Sequence, residues 1–257
     1  MAVHEQQHPG GILELVVEHP PVNAFTIGDL HTLATRLQAV AGEPDVRAVV
    51  LRAEGRGFCA GGDVKEVHAL PGFEGILGQA SGSQAASLAV AECVAPVIAA
   101  VHGYCIGVGV LIVGTADVVV AATGTRFVLA EVDNGAPSGA AQALELLPAK
   151  RLRAAMLTAD PVDAAELYAH GSVYRLVEPE KVVAVAFDVA GRIAAKSPAV
   201  VRRLKAALNA SAGRDDLRTR YRQELSYTYE LNLIGEAQQG RGDFIEGRRG
   251  SYLSDDR

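Results

Sequence analysis

The amino-acid sequence predicts an α/β fold followed by a helical C-terminal segment. The chain has 257 residues, of which 49% are hydrophobic, and this is enough for one domain with a full core. Strand-like and helix-like patterns alternate up to about residue 195, as expected for a sheet with right-handed crossovers. Only one strand-like run follows residue 144. We therefore expect an α/β core over residues 1–195 and a helical region over residues 196–257.

The predicted strands are β-branched or apolar runs bounded by glycine, proline or turn residues. They lie at residues 12–18, 46–52, 97–101 and 118–121, with strand-like runs at 127–130 and 173–177.

The predicted helices show apolar residues repeating with the period of one helix face. In the core they cover residues 27–40, 63–70, 73–90 and 107–115, and farther along the chain 149–158, 164–170, 179–196, 198–210 and 217–233. The tail over residues 240–257 is rich in glycine and charge, so we expect weak order at its end. A helical layer of this kind commonly covers a neighbouring subunit, which favours an oligomer.

Charge and composition exclude several classes of protein. The 24 basic and 30 acidic residues give a net charge of −6, which opposes binding to nucleic acid. The apolar stretch 94–122 is interrupted by Pro96 and by glycines, which suits a buried interior better than a membrane span. The three cysteines fit no disulfide framework or zinc spacing, and the N-terminus does not resemble a signal peptide. We expect a cytoplasmic protein without a metal site.

Two segments of the sequence repeat the same pattern. The strand at 46–52 leads to residues 57–61 (GFCAG), and the strand at 97–101 leads to residues 103–107 (GYCIG). Each glycine-rich turn precedes a helix, whose first N–H groups favour negative charge. Brought together, the two turns would offer two N–H donors to one oxygen, which is an oxyanion hole. Alternatively, these glycines serve only to let a strand and a helix pack closely.

Other catalytic sites have weaker support. Residues 107–109 (GVG) suggest a dinucleotide site, but Ile112 occupies the place of the third glycine. Ser138 lacks the sequence of a nucleophile elbow, and Cys105 near His102 is better explained as a buried structural thiol.

Glu131 is the candidate acid or base. It follows a strand-like apolar run and precedes the turn residues Asp133, Asn134 and Gly135. A carboxylate at the end of a buried segment is placed for a raised pKa and for proton transfer. The alternative is an ordinary acidic residue at the end of a strand.

Four segments of the sequence are distinctive, namely residues 19–24 (HPPVNA), 47–63 (RAVVLRAEGRGFCAGGD), 96–103 (PVIAAVHG) and 243–247 (DFIEG). Together they resemble the crotonase superfamily of enoyl-CoA hydratases and isomerases. The resemblance extends over residues 12–249, and the FCAGGD part is quite specific.

This resemblance implies a crotonase (ClpP-like) spiral of ββα units with a helical C-terminal trimerisation region. It implies a homotrimer or hexamer and an acyl-CoA substrate, so that CoA enters as part of the substrate and no separate cofactor is needed. By motif position, the backbone N–H groups of Gly62 and Val108 hold the thioester oxygen, and Glu131 matches a catalytic glutamate. The further substrate-binding residues implied are Val22, Ala24, Ala60, Gly61, Asp63, Val64, Tyr104, Gly107, Leu111, Asp133 and Asn134.

The sequence departs from the hydratase pattern at two positions. Hydratases carry two glutamates, and the first of them falls at position 111, which is Leu111 here. Val108 stands where the family has the middle residue of a triple glycine. Because hydration conveniently uses one group for water and another for the α-carbon proton, the loss of one carboxylate disfavours hydratase activity.

The remaining carboxylate suits isomerisation of a double bond or attack of one activated water on a β-keto acyl-CoA. Residues 52–58, 171–173 and 229–233 are also similar to actinobacterial crotonase relatives that hydrolyse a ring carbon–carbon bond of steroid-derived CoA thioesters. We therefore expect a hydrolase or an isomerase. The alternatives are an enoyl-CoA hydratase of lipid degradation and a non-catalytic acyl-CoA-binding subunit.

Overall fold

The computed structural model describes residues 3–211, 216–248, 250 and 252–253. Its strands are β1 (Val3–His8), β2 (Ile12–Val17), β3 (Ala48–Ala53), β4 (Val97–Val101), β5 (Tyr104–Ile106), β6 (Val118–Ala122), β7 (Arg126–Val128), β8 (Val162–Asp163) and β9 (Arg175–Val177). Its helices are α1 (Ile27–Ala39), α2 (Val64–Ala69), α3 (Glu74–Glu92), α4 (Val108–Gly114), α5 (Ala140–Ala143), α6 (Ala149–Thr158), α7 (Ala164–Ala169), α8 (Val182–Ala194), α9 (Pro198–Ser211), α10 (Leu217–Leu233) and α11 (Glu236–Ile245). Short 3₁₀ helices lie at Val40–Gly42, Ala130–Asn134 and Pro179–Lys181.

The strands form two sheets. The larger sheet has the order β1-β2-β3-β4-β6-β9, in which β1 is antiparallel to β2 and all other pairs are parallel. Strands β3 and β4 are almost wholly buried, as the apolar run 48–51 of β3 and the fully apolar β4 require in a sheet covered on both faces. The smaller sheet has the order β5-β7-β8.

Both faces of the large sheet are covered by helices. Helices α1, α3 and α4 contribute to the main core on one face, which includes Leu15, Leu33, Leu51 and Ile112. Helix α8 packs on the other face, where a second cluster forms around Ile98. The amphipathic pattern of α8 therefore has its partner in the sheet.

A recurring ββα unit explains how the two sheets are connected. The chain passes from β4 in the large sheet to β5 in the small sheet and then into α4. In the same way, the chain leaves β3, forms a single β-bridge between Cys59 and Cys105 of β5, and then enters α2. The expected spiral of ββα units is therefore confirmed.

The last three helices follow the core and pack on it. Helix α10 lies against α3 and α5, while α11 lies against α2 and the 3₁₀ helix Ala130–Asn134. Two glycines permit the close contact of α11, because a β-carbon at Gly240 would lie 2.5 Å from the Asp133 carbonyl oxygen and one at Gly135 would lie 2.5 Å from Ala237 Cα. The role of this region in oligomerisation stays a prediction.

The structure corrects the sequence-based elements in two places. Strands β1, β5 and β8 were not expected, and β1 in particular is an edge strand whose exposed, polar side chains hide the strand pattern. The segment predicted as a weakly ordered tail from residue 240 starts within α11, which continues to Ile245. Residues 249, 251 and 254–257 of that segment lie outside the described residues. Within the described ranges, no helix combines the length and apolar character that a membrane span needs.

Candidate active site

The two glycine-rich turns predicted from the repeat lie side by side. The Ile106 N–H donates to the Cys59 carbonyl at 2.8 Å, and the Cys59 N–H donates to the Tyr104 carbonyl at 3.3 Å. Both thiols are fully buried, and desolvation raises the pKa of Cys59 to about 12. The cysteines are therefore structural, and their contact joins the two turns.

The first candidate oxyanion donor is the N–H of Gly62. Phe25 forms backbone hydrogen bonds with the two residues that flank Gly62. Its N–H donates to the Gly61 carbonyl and its carbonyl accepts from the Asp63 N–H, both at 2.8 Å. In an extended segment the N–H between these two positions points the opposite way. Gly62 lines a cavity on that side, and no acceptor among the described residues pairs with its N–H.

The second candidate donor is the N–H of Val108, the first residue of α4. The preceding Gly107 has φ +53° and ψ −121°, a conformation that L residues with a side chain rarely adopt. Its turn leaves the Val108 N–H without an intrahelical partner, as at every helix start. The Val108 side chain belongs to the main core, so the branched side chain and a free N–H coexist at this position.

Glu131 lies beside this second turn. A β-carbon at Gly107 would lie 3.3 Å from Glu131 Oε1, and Glu131 Oε2 is buried without a hydrogen-bond partner. Desolvation by burial, with a smaller contribution from the charge of Glu224, raises the pKa of Glu131 from 4.5 to about 8. A carboxyl group with this pKa exchanges protons near neutral pH, as a general acid or base must.

A second carboxylate lies close by but is occupied otherwise. Glu224 of α10 accepts hydrogen bonds from the backbone N–H groups of Gly139 at 2.7 Å and Ala141 at 2.9 Å. It thereby caps the start of α5, and it does not line the cavity. The cavity wall is apolar at position 111, because Leu111 lines the same cavity and is only 2% exposed.

Two adjoining cavities open at the turns. The inner cavity has a volume of about 130 Å³ and contains Gly62, Val108 and Glu131 in its wall. The outer cavity has a volume of about 310 Å³ and is bordered by residues of the segment 19–24, by Lys65 and by Phe244, Tyr252 and Leu253. Both cavities share the wall residues Ala60, Gly62, Val64, Ile106, Ala130 and Asn134.

Most residues named from the sequence meet in these cavities. The inner wall includes Gly61, Gly107 and Leu111 together with the shared Ala60, Val64 and Asn134. The outer wall includes Val22, Ala24 and Asp63, and Asp63 also caps α2 by accepting from the Lys65 N–H at 2.9 Å.

Tyr104 and Asp133 line neither cavity, which departs from the sequence-based expectation. The Tyr104 ring lies against Gly57, where a β-carbon would come within 2.7 Å of it. Asp133 accepts a hydrogen bond from the Tyr252 hydroxyl. Both side chains are held by neighbouring chain segments and act as supports of the wall.

Sequence reasoning missed the part of the inner wall that α2, α3 and the C-terminal helices supply. These residues are Val67, Ile76, Gln79, Ala80, Ser83, Tyr221, Leu225, Thr228 and Arg241. The helical period of α10 would have placed Tyr221, Leu225 and Thr228 on one buried face. The sequence contains no signal that brings this face to the Glu131 turn.

The fold and this site define the class of protein. The Enoyl-CoA hydratase/isomerase family matches residues 7–254, and an enoyl-CoA hydratase structure from Mycobacterium avium subsp. paratuberculosis K-10 superimposes with a TM-score of 0.84 at 25% identity over 99% of each chain. The chain therefore belongs to the enoyl-CoA hydratase/isomerase family, the crotonase enzymes that act on acyl-CoA thioesters.

Within the family, the chain is similar to a narrower group of hydrolases. It is 42% identical over 238 residues to the (7aS)-7a-methyl-1,5-dioxo-2,3,5,6,7,7a-hexahydro-1H-indene-carboxyl-CoA hydrolase of Rhodococcus jostii (strain RHA1), covering 92% of this chain and 91% of that protein. It is also 42% identical over 236 residues to the hydrolase of the same name from Mycobacterium tuberculosis (strain ATCC 25618 / H37Rv), covering 92% and 95%. The similarity that the sequence predicts to a group of CoA hydrolases within the family is confirmed.

Proposed function

We propose that this protein hydrolyses a ring carbon–carbon bond of a steroid-derived β-keto acyl-CoA. The observation that carries the proposal is that Glu131 is the single carboxylate among the described residues of the inner wall, which also contains the apolar Leu111 and two N–H groups that lack acceptors. Similarity to the two indene-carboxyl-CoA hydrolases supports the ring-bearing substrate.

One carboxylate suffices for this reaction. Ionised Glu131 takes a proton from water while the water oxygen bonds to the ring keto carbon. The bond between that carbon and the α-carbon of the thioester then breaks, and its electron pair forms the thioester enolate. Glu131 returns the proton to the α-carbon, so that the products are a carboxylic acid and a ring-opened acyl-CoA.

The two N–H groups act on the charge that develops in this step. The enolate oxygen accepts hydrogen bonds from Gly62 and Val108, whose donors are fixed before the reaction and need no reorganisation. Removing one such donor in other enzymes costs about 10²- to 10³-fold in turnover. The chain supplies both the base and the donors, so the proposed reaction needs no cofactor besides the CoA of the substrate.

The same residues support a second candidate, isomerisation of an enoyl-CoA. A lone carboxylate that removes and returns a proton, next to an enolate trap, shifts a double bond without water. The buried, apolar Leu111 fits this reaction as well as it fits hydrolysis.

Mass spectrometry in H₂¹⁸O separates these functions. The purified protein is incubated with the 7a-methyl-1,5-dioxo-hexahydroindene-carboxyl-CoA thioester. Hydrolysis adds one water and places one ¹⁸O in a new carboxyl group, whereas isomerisation leaves the mass unchanged. Recovery of unaltered thioester over a wide range of enzyme concentrations, with intact folding shown by circular dichroism, would contradict the proposal.

We also infer a homotrimer or hexamer in the cytoplasm. Apolar side chains of α9 that no described residue covers support the oligomer, since Val200, Leu204 and Leu208 are each more than half exposed. Light scattering of the purified chain at micromolar concentration tests this inference, and a monomer would contradict it.

A further inference from the structure

The inner cavity contains a buried cation that has no anion. Arg241 of α11 lines the cavity and is 6% exposed. Its Nη2 donates to the Asn232 side-chain oxygen at 3.1 Å, and its Nε has no hydrogen-bond partner. Among the residues that the structure describes, no carboxylate forms an ion pair with it.

Leaving a guanidinium in this state is costly for the folded protein. Burial lowers the pKa of Arg241, yet an arginine side chain keeps its proton in proteins. A buried charge without a partner loses its hydration and gains nothing in return. Such a group is retained where a ligand completes its hydrogen bonds.

A second unpaired polar group lies in the same wall. Thr228 of α10 is 1% exposed, and its hydroxyl oxygen has no hydrogen-bond partner. The rest of this wall is largely apolar and includes Val67, Ile76 and Leu225. Arg241 and Thr228 therefore each have a hydrogen-bond donor without an acceptor in a wall that is largely apolar.

The position of Arg241 is fixed by the packing of its helix. The preceding residue, Gly240, allows α11 to approach the 3₁₀ helix Ala130–Asn134, which carries Glu131. The guanidinium therefore shares a wall with the catalytic carboxyl group without forming an ion pair with it. Both groups therefore border the same cavity, which is the space available to an acyl group.

We propose that Arg241, assisted by Thr228, binds a second acceptor oxygen of the substrate, a keto or carboxylate oxygen on the acyl group apart from the thioester. This inference rests on the proposed function only in taking the ligand to be an acyl-CoA. A plain alkyl chain leaves both donors unpaired, and sites built to hydrogen-bond a substrate group discriminate strongly against analogues that lack it.

Three chain-matched ligands test this assignment by calorimetry. Hexanoyl-CoA carries no second oxygen, 5-oxohexanoyl-CoA carries a ketone, and glutaryl-CoA carries a carboxylate at the same distance from the thioester. We expect one or both oxygen-bearing ligands to bind the wild-type protein about ten- to a hundredfold more tightly than hexanoyl-CoA, and the preferred ligand identifies the oxygen.

Two variants separate recognition from structural support. Arg241→Met removes the donors and Thr228→Val replaces a hydroxyl by a methyl group of similar size, whereas Arg222→Met on the exposed side of α10 is the matched control. Arg241→Met should abolish the preference and leave hexanoyl-CoA binding within about threefold of wild type. Thr228→Val should reduce the preference, and Arg222→Met should keep it.

Equal binding of all three ligands by the wild-type protein would overturn the inference. So would an equal loss for all three in Arg241→Met, because that result marks a purely structural role. These measurements need no turnover. A preference for oxygen-bearing ligands without hydrolysis of the ring substrate would therefore refute the proposed function and leave the assignment of Arg241 standing.

Discussion

Replacing Glu131 by Gln should remove activity and yet stabilise the protein increasingly as the pH rises. The folded protein holds a proton on Glu131 up to a pKa of about 8, whereas an ordinary glutamate in the unfolded chain releases it near 4.5. Between these values the folded state binds more protons than the unfolded state, so the free energy of unfolding of the wild-type protein falls with rising pH. Gln does not titrate and escapes this loss.

The size of the effect follows from the two pKa values. One unit of pKa shift corresponds to about 1.4 kcal/mol, so a rise from 4.5 to about 8 has a limit of about 5 kcal/mol well above pH 8. At pH 5 most of this difference has not developed, and it amounts to about 1 kcal/mol. The advantage of the variant over the wild type should therefore grow by about 4 kcal/mol between pH 5 and pH 9.

Urea unfolding of both proteins at pH 5 and pH 9, at one protein concentration, measures this difference. Any cost of burying the Gln amide is the same at both pH values and cancels. Glu230→Gln, at an exposed position of α10, is the control and should give a difference near zero. If the advantage of Glu131→Gln changes by less than about 1 kcal/mol across this range, burial does not hold the carboxyl group protonated and the reasoning fails.

Two further predictions concern turnover. On the true substrate, Glu131→Gln should lower kcat by about 10²- to 10⁴-fold. The kcat of the wild type should rise with pH and level off above about pH 8, because the carboxylate form accepts the proton from water. A flat profile of kcat from pH 6 to pH 9 would contradict the role of Glu131 as a base. With Leu111 in place of a second carboxylate, the wild type should hydrate crotonyl-CoA poorly, and kcat/KM in the ordinary enzymatic range of about 10⁴ to 10⁸ M⁻¹s⁻¹ would show that one carboxylate suffices for hydration.

The local part of the site was accessible from the sequence. Glycine turns, the strand before each of them and the acid at the end of an apolar run are short-range patterns, and they predicted two N–H-bearing turns and Glu131 as the candidate acid or base. The resemblance to the crotonase family then assigned the two N–H donors to Gly62 and Val108. The repeat also aligns Cys59 with Cys105 within the sequence, and the structure pairs these two residues in a single bridge.

The C-terminal side of the site could not be predicted in this way. Arg241 is more than one hundred residues away from Glu131 along the chain, and its contact with the cavity depends on how closely α11 approaches at Gly240. The steric fit between Gly240 and the Asp133 carbonyl oxygen decides that approach, and a contact of this kind leaves no periodic pattern in the sequence. Glu224 was missed for the same reason, because its backbone partners at the start of α5 lie about eighty residues earlier.

The packing of α11 on the Glu131 turn divides the enzyme into two sequence regions with different tasks. The proposed base and the proposed N–H donors come from residues 62–131, whereas α10 and α11 add Tyr221, Leu225, Thr228 and Arg241 to the wall of the inner cavity. Substitutions in the last forty residues can therefore change which acyl groups are accepted while the reactive geometry stays as it is. The same arrangement delays assembly of the pocket during synthesis, since a nascent chain that already contains both turns still lacks this wall until α10 and α11 leave the ribosome.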